Sequence, residues 1–318
     1  MPYRCAILDD YQNVALQMAD WSSVSKDVDL SVFTQPLGPQ KKVIDALKGF
    51  AIVCLMRERT LFPRAVIEAL SDLRLIVTSG MRNAAIDVEA ATSNKIVVCG
   101  TESIGQPTAE LTFGLMLELT RKIGLENARL KKGAPWQSTL GIELNGKTLG
   151  IIGLGKLGSR VAAIGRAFGM EILAWSQNLT EEKSRAGGAA LVSKEELFRR
   201  SDFVTVHVQL SERTRNLVDA AELARMKPTS FLINTSRGPI VDKQALLSVL
   251  RANRIAGAGI DVYDVEPLPI DDPLRTLENA VLTPHLGYVT AENYRRFYGQ
   301  MVEDIRGWLD GKPVRLLS

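Results

Sequence analysis

The chain has 318 residues, 46% of them apolar and 24% charged, with a formal net charge of +3. That length suits two ordinary domains, and the composition is that of a globular protein. So small a charge, with no basic run and no basic–aromatic stripe, argues against nucleic acid as the main partner.

The opening stretch, Met1 to Asp10, meets acids almost at once, and no run of about 18 apolar residues occurs anywhere. Neither a signal peptide nor a membrane span is expected, and a cytoplasmic location is. Cys5, Cys54 and Cys99 each lie in an apolar, strand-like run without zinc-ligand spacing, so buried reduced thiols are expected.

Strands are expected at Cys5–Leu8, Leu30–Phe33, Ile52–Leu55, Leu75–Thr78 and Ile96–Val98, with helical stretches such as Lys41–Leu47 and Arg64–Leu70 between them. Alternation of this kind means βαβ units and a parallel sheet covered on both faces. Pro107 to Leu130 reads as one long helix, with Leu111, Leu115, Leu119 and Ile123 at a four-residue step. A loop with Gly133, Pro135, Trp136 and Gly141 follows. A second alternating series then begins, with strands at Thr148–Ile152, Glu171–Trp175, Phe203–Val206, Ser230–Asn234, Ala258–Val262 and Ala280–Thr283. A helix near Ala291–Asp310 closes the chain. The expected architecture is α/β, with two Rossmann-like, doubly wound units.

The most specific local signal is Gly150-Ile151-Ile152-Gly153-Leu154-Gly155-Lys156-Leu157-Gly158, where an apolar strand runs into G-x-G-x-x-G and an apolar-periodic helix leaves it. Gly153 permits the tight turn, Gly155 lets backbone approach a pyrophosphate, and Gly158 lets helix and strand pack closely. The helix N-terminus at Lys156 and Leu157 then offers N–H groups to phosphate. An acid gripping the ribose hydroxyls of NAD is expected about 20 residues on. The second strand instead ends in Ser176-Gln177-Asn178, with Glu171 at its start and Glu181 and Glu182 beyond the turn. Without a carboxylate to repel a 2′-phosphate, the cofactor is expected to be NADP or NAD, with a lean towards NADP.

The chain has only two histidines, and both follow apolar strands. His207 stands in Val204-Thr205-Val206-His207-Val208-Gln209, and His285 in Leu282-Thr283-Pro284-His285-Leu286-Gly287. Histidine is the natural proton carrier near neutral pH, and ligands gather at the carboxyl ends of strands in open α/β sheets. Either histidine could equally cap its strand. Two further segments bear on the choice. Ile233-Asn234-Thr235-Ser236-Arg237-Gly238 places an arginine just past a buried strand, where its planar fork suits a carboxylate. Gly259-Ile260-Asp261-Val262-Tyr263-Asp264-Val265-Glu266-Pro267 does the same with acids, and a glutamate beside a histidine fixes its tautomer.

Taken with the glycine turn, these segments resemble the D-isomer-specific 2-hydroxyacid dehydrogenase family over essentially the whole chain. The resemblance implies Arg237 as the carboxylate-binding arginine, Glu266 as the histidine's partner and His285 as acid/base. It implies that Asp261 holds the nicotinamide end, and that His207, Val208 and Thr214 lie near the adenosine side. Thr235, Ser236 and Gly287, in the same stretches, join the cofactor-binding set. It further implies a discontinuous substrate domain, 1–100 plus 287–318, with an NAD(P)-binding domain, 101–286, inserted in it and the reaction in the cleft. The long helix and the Trp136 loop resemble a dimerisation arm, so a homodimer is expected.

Three stretches depart from or vary the family's pattern. Ser79-Gly80-Met81-Arg82-Asn83 stands where a glycine-rich loop commonly offers N–H groups to the substrate carboxylate. Arg57 resembles an arginine-bearing first loop, and Gln209 replaces a usual proline. The expected substrate is a small 2-keto or 2-hydroxy acid of the glyoxylate or hydroxypyruvate type. The alternatives are a dinucleotide-sensing, corepressor-like binding protein on the same fold, and a relative acting on formate or alanine.

Overall fold

In the computed structural model, which describes residues 2–317, the chain divides into two units. One runs from the N-terminal segment to Ile104 and resumes at Val289, and the other is Gly105–Tyr288.

The first unit alternates strands and helices in chain order: β1 (Tyr3–Ile7), α1 (Ala15–Met18), β2 (Val28–Val32), α2 (Gln40–Leu47), β3 (Ile52–Leu55), α3 (Arg64–Ala69), β4 (Leu75–Thr78), α4 (Val88–Ser93) and β5 (Val97–Gly100). The five strands are parallel, in the order β2-β1-β3-β4-β5. β3 and β4 are buried at every position, which is why they read as unbroken apolar runs rather than alternating ones. Cys5, Cys54 and Cys99 are buried free thiols. One sheet face packs on a cluster that includes Leu55, Phe62, Ile67 and Val98.

The second unit opens on α5 (Gln106–Arg121) and α6 (Ile123–Lys131), then continues β6 (Thr148–Ile152), α7 (Lys156–Ala167), β7 (Glu171–Trp175), α8 (Glu181–Ala186), β8 (Ala190–Leu191), α9 (Lys194–Arg200), β9 (Phe203–Val206), α10 (Ala220–Arg225), β10 (Phe231–Asn234), α11 (Lys243–Arg251), β11 (Gly257–Ile260) and β12 (Ala280–Leu282). Its seven parallel strands run β12-β11-β10-β9-β6-β7-β8. The order reverses between β6 and β9, the position in such sheets where ligands bind beyond the carboxyl ends.

Where one helix is expected from 107 to 130, the structure has two. Lys122 takes the left-handed conformation at φ 52°, and the Glu118 carboxylate accepts the Gly124 N–H at 2.9 Å. The apolar stripe ends at the same place, since Leu115 and Leu119 are buried but Ile123 is 56% exposed.

After the second unit, α12 (Ala291–Leu309) rejoins the first. Tyr294, Phe297, Tyr298, Met301 and Ile305 recur at helical spacing on its buried face. Among the described residues no helix is long and apolar enough to cross a membrane.

Candidate active site

The turn after β6 is built by its glycines. Gly153 has φ +97°, and a Cβ there would lie 2.8 Å from the His207 carbonyl group. A Cβ on Gly158 would lie 2.0 Å from the Gly153 carbonyl oxygen. Both positions therefore require glycine, one for its conformation and both for space. Gly155 differs, because a Cβ there would meet nothing within 4 Å. Its face is open, and the first turn of the twelve-residue α7 has no side-chain cap. Uncapped N–H groups, the positive end of a helix dipole and open space together make a cradle for pyrophosphate. The residues present fit a nicotinamide dinucleotide.

At the end of β7, Ser176 is half-buried and Gln177 and Asn178 are exposed. Glu171 begins the strand, where it pairs with Arg200 at 2.7 Å, and Glu181 pairs with Arg185 at 2.8 Å. The Arg185 charge is thereby engaged locally.

Beyond β9, the His207 ring Nε2 lies 2.9 Å from the Thr205 hydroxyl, and its Nδ1 is buried without a hydrogen-bond partner. Burial pushes this imidazole down to about 3, so His207 is neutral at working pH. Val208 packs over Gly153 and its carbonyl accepts the Ser236 hydroxyl. The Thr214 hydroxyl donates to Gln209 O at 2.6 Å and accepts the Ser211 N–H at 2.7 Å, closing the loop that follows.

Arg237 follows β10 by three residues. Asn234 anchors it through a side-chain N–H to the Arg237 carbonyl at 3.0 Å, and Thr235 meets the Thr112 hydroxyl at 3.2 Å. A Cβ on Gly238 would lie 2.2 Å from the Tyr263 carbonyl carbon. Only glycine lets the arginine loop approach the acidic loop this closely.

His285 stands at φ 54°, a conformation that costs a non-glycine residue about 1–2 kcal/mol. It persists because its loop is held from below. Asp261, fully buried, accepts the Thr283 hydroxyl at 2.6 Å and the Leu286 N–H at 2.7 Å on Oδ1, and the Gly287 N–H at 2.9 Å on Oδ2. Thr108 fixes the Gly287 carbonyl at 2.7 Å. The imidazole Nδ1 lies 2.6 Å from Glu266 Oε2, while Glu266 Oε1 accepts the Tyr263 N–H at 2.9 Å. Tyr288 packs edge-on against the imidazole, with ring centroids 5.3 Å apart.

The two acids beside this loop are pushed in opposite directions. Burial drives the Asp261 carboxyl above its ordinary range, and its three donors offset that only in part. Burial acts the same way on Glu266, but there the His285 contact, the Tyr263 N–H and the Arg237 charge prevail and hold the carboxyl low. Glu266 is thus an anion aimed at Nδ1, which leaves Nε2 as the nitrogen able to exchange a proton with a ligand. Perturbed groups converging beyond the ends of strands mark this region as the candidate active site.

In the first unit, Arg57 follows β3 at φ 52° and its guanidinium lies over Gly80, where a Cβ would be 1.9 Å from Nη1. Arg57 donates to Ser79 O at 3.1 Å and pairs with Glu58 at 3.6 Å. The Ser79 N–H donates to Leu55 O and the Gly80 N–H to the Thr101 hydroxyl. Those two amides are therefore engaged inside the unit, one by the end of β3 and one by the residue after β5. Met81 and Arg82, on the outer side of the turn, are exposed.

Sequence reasoning passed over Tyr263, Gly238 and Thr283. The signal for Gly238 was its place directly after the arginine. Tyr263 lay inside the acidic segment with nothing to single it out.

Residues 113–287 match the family profile described as D-isomer specific 2-hydroxyacid dehydrogenase, NAD binding domain. A glyoxylate reductase from Korarchaeum cryptofilum is 35% identical over 307 residues, covering 93% of this chain and 92% of that protein. A D-3-phosphoglycerate dehydrogenase from Synechocystis is 37% identical over 279 residues, covering 87% of this chain but 50% of the longer relative. The chain thus spans about half the length of that relative. The crystal structure of a phosphoglycerate oxidoreductase from Vibrio cholerae superposes with a TM-score of 0.92 at 35% identity, covering 97% of this chain and 99% of that one. The chain belongs to the D-isomer specific 2-hydroxyacid dehydrogenases.

Proposed function

We propose that this chain transfers a hydride between a nicotinamide dinucleotide and C2 of a small 2-keto or 2-hydroxy acid, of the glyoxylate or hydroxypyruvate type. The observation that carries the reading is the Glu266–His285 pair at 2.6 Å, with Arg237 acting on the same carboxylate. When bound, the dinucleotide supplies or accepts the hydride. In reduction, His285 delivers a proton from Nε2 to the developing 2-oxygen, and Glu266 stabilises the charge on the ring before transfer. In oxidation His285 takes the proton back. Arg237 holds the substrate carboxylate and polarises the 2-oxygen. The names of the relatives are those of reductases and dehydrogenases, which does not favour the binding-protein alternative.

For the cofactor, Gly153, Gly155 and the N–H groups of Lys156, Leu157 and Gly158 form the proposed pyrophosphate site. Val208, Thr214, Thr235, Ser236 and Gly287 line the proposed dinucleotide path, with His207 as a neutral group near the adenosine. Asp261 has about one acceptor position beyond its three donors, and we assign it to the carboxamide. Ser176, Gln177 and Asn178 are proposed to receive a 2′-phosphate, giving a preference for NADPH. Arg57 with Met81 and Arg82, beside Ser79 and Gly80, is the surface of the first unit that we assign to the substrate carboxylate. The first unit is then the substrate domain and the second the nucleotide domain.

We further propose a homodimer formed through α6 and the loop after it. No residue of α6 is buried, and Ile123, Leu125, Leu130, Trp136 and Leu140 are all exposed. Three buried free thiols suit a reducing compartment, and the cytoplasm is the proposed location.

The test is a panel of glyoxylate, hydroxypyruvate, pyruvate and phenylpyruvate with NADH and NADPH. No turnover of any acid with either cofactor would reject the reading. Ser176→Asp is expected to move preference towards NADH by about tenfold or more, the factor that 1.4 kcal/mol gives. An unmodified protein that already prefers NADH in binding titrations would reject the lean to NADPH.

A further inference from the structure

Glu266 and His285 lie on different loops, and besides Asp261 the residue Tyr263 ties the two together. The Tyr263 N–H donates to Glu266 Oε1 at 2.9 Å, and the other oxygen of that carboxylate meets His285 Nδ1 at 2.6 Å. The Tyr263 hydroxyl donates to Thr283 O at 2.9 Å and lies 3.1 Å from Ile260 O. That same Thr283 carbonyl accepts the His285 N–H at 3.0 Å. A ring of bonds results. It runs from Tyr263 through Glu266 to the imidazole, and back through the His285 main chain and the Thr283 carbonyl to the phenol.

The ring has work to do, because His285 occupies a left-handed conformation that its own backbone disfavours. Asp261 holds the segment after the histidine through Leu286 and Gly287. On the near side Thr283 is held through its hydroxyl by Asp261 and through its N–H by Ile260 O, while the His285 N–H reaches back only two residues to the Thr283 carbonyl, a bent and weak contact that a second donor reinforces. Tyr263 supplies it from a main chain that cannot slide, since Gly238 packs against its carbonyl where a Cβ would be 2.2 Å away. Burial, with the Asp261 and Glu266 carboxylates nearby, pushes the phenol far above its ordinary range, so it remains a donor at every working pH.

We propose that the Tyr263 hydroxyl is a positioning group that fixes His285 against Glu266 through the Thr283 carbonyl. The proposal rests on the reading of Glu266 and His285 as the proton-transferring pair. It does not require that the hydroxyl touch substrate or cofactor.

Tyr263→Phe removes the hydroxyl and keeps the ring. The chain has two histidines, so protein labelled with nitrogen-15 at histidine gives two ring spin systems, and His285→Gln assigns them. In Tyr263→Phe the Nδ1–H signal of His285 is expected to move upfield and exchange faster with water, while the His207 signals stay in place. Turnover of the keto acid falls about three- to tenfold, the factor that one ordinary hydrogen bond represents. The substrate KM and the dinucleotide Kd stay within about twofold. Tyr263→Leu, which also removes the ring, is expected to lower turnover at least as far. A His285 signal and turnover that both match the unmodified protein in Tyr263→Phe would overturn the proposal, as would equal shifts at both histidines. A shifted His285 signal in a protein that reduces no keto acid would sustain the positioning role and reject the functional reading.

Discussion

Asp261→Asn tests whether the left-handed histidine is held from below. The carboxylate takes two donors on Oδ1 and one on Oδ2, and it is fully buried. An asparagine of the same shape must place its NH₂ at one of those oxygens. The Thr283 hydroxyl can turn and accept from that NH₂, so either placement leaves one main-chain N–H, of Leu286 or of Gly287, facing a donor. One bond to a charged acceptor is lost, worth about 1.5–3 kcal/mol, and the two that remain become weaker. His285 is then free to relax its own backbone, which gains about 1–2 kcal/mol. The working geometry thus becomes uphill by about 3 kcal/mol, and at 1.4 kcal/mol per decade turnover falls about a hundredfold. Global stability should change much less, by about 1 kcal/mol, because the loop relaxes locally and a buried charge is removed. Single-turnover reduction by stopped flow, with urea unfolding alongside, measures both quantities. Turnover within threefold of the unmodified protein would refute the argument. So would a loss of stability as large as the loss in activation free energy.

The other groups give simpler expectations. His285→Ala should lower turnover by about two to four decades while dinucleotide titrations stay unchanged, and near-normal turnover would remove it from the acid/base role. Glu266 is held below the usual carboxylate range, so its contribution to stability is present above that range and fades as pH falls through its lowered value. Glu266→Gln should therefore destabilise at pH 7 more than at pH 3, and in single turnovers should move the alkaline limb of keto-acid reduction to lower pH. A limb that stays in place would mean that Glu266 does not serve the histidine. In the first unit, burial raises the Asp304 carboxyl to about 7 despite its pairing with Arg315 at 2.9 Å. Such a group favours folding below the usual carboxylate range and loses that contribution as pH rises to about 7. The melting temperature of Asp304→Asn should then improve relative to the unmodified protein from pH 4 to pH 8, and a constant difference would show that the pairing with Arg315 outweighs burial.

What the sequence made legible follows the range of the interactions. The glycine turn was readable because its causes are local: a strand, three glycines and a helix start lie within a dozen residues, and the structure places each glycine where a Cβ would clash or would fill open space. The parallel sheets were readable because strands buried on both faces leave unbroken apolar runs. The break at Lys122 was not, although Gly124 stands two residues on, because an isolated glycine does not fix a boundary and the turn depends on one Glu118 side chain that takes the Gly124 N–H. Nor was the loop role of Asp261. From sequence the acid resembles a nicotinamide ligand, and only the fold brings residues 22 to 26 positions later onto its two oxygens. The partners of the Ser79 and Gly80 amides were not legible for the same reason, because Leu55 and Thr101 reach them from distant parts of the sequence.

The contrast between the two histidines shows what a site adds to a residue type. Each follows a parallel strand and each lies beyond a carboxyl end, so pattern alone gives them equal standing. His207 has a hydroxyl for a partner and no carboxylate among the causes of its shift, and burial alone pushes it down to about 3. It can accept or donate a hydrogen bond as a neutral ring, but it cannot hold a proton near neutral pH. His285 meets burial too, yet its Nδ1 faces an anion 2.6 Å away that Arg237 and the Tyr263 N–H keep ionised. That fixed carboxylate sets the ring's tautomer, which a proton-transferring histidine requires and which His207 lacks. Supplying a carboxylate beside His207, by Thr205→Asp, is thus expected to raise its titration midpoint by one or more units in histidine NMR, about 1.4 kcal/mol for each. A His207 that still titrated near 3 in that variant would show that depth of burial, and not the missing carboxylate, separates the pair.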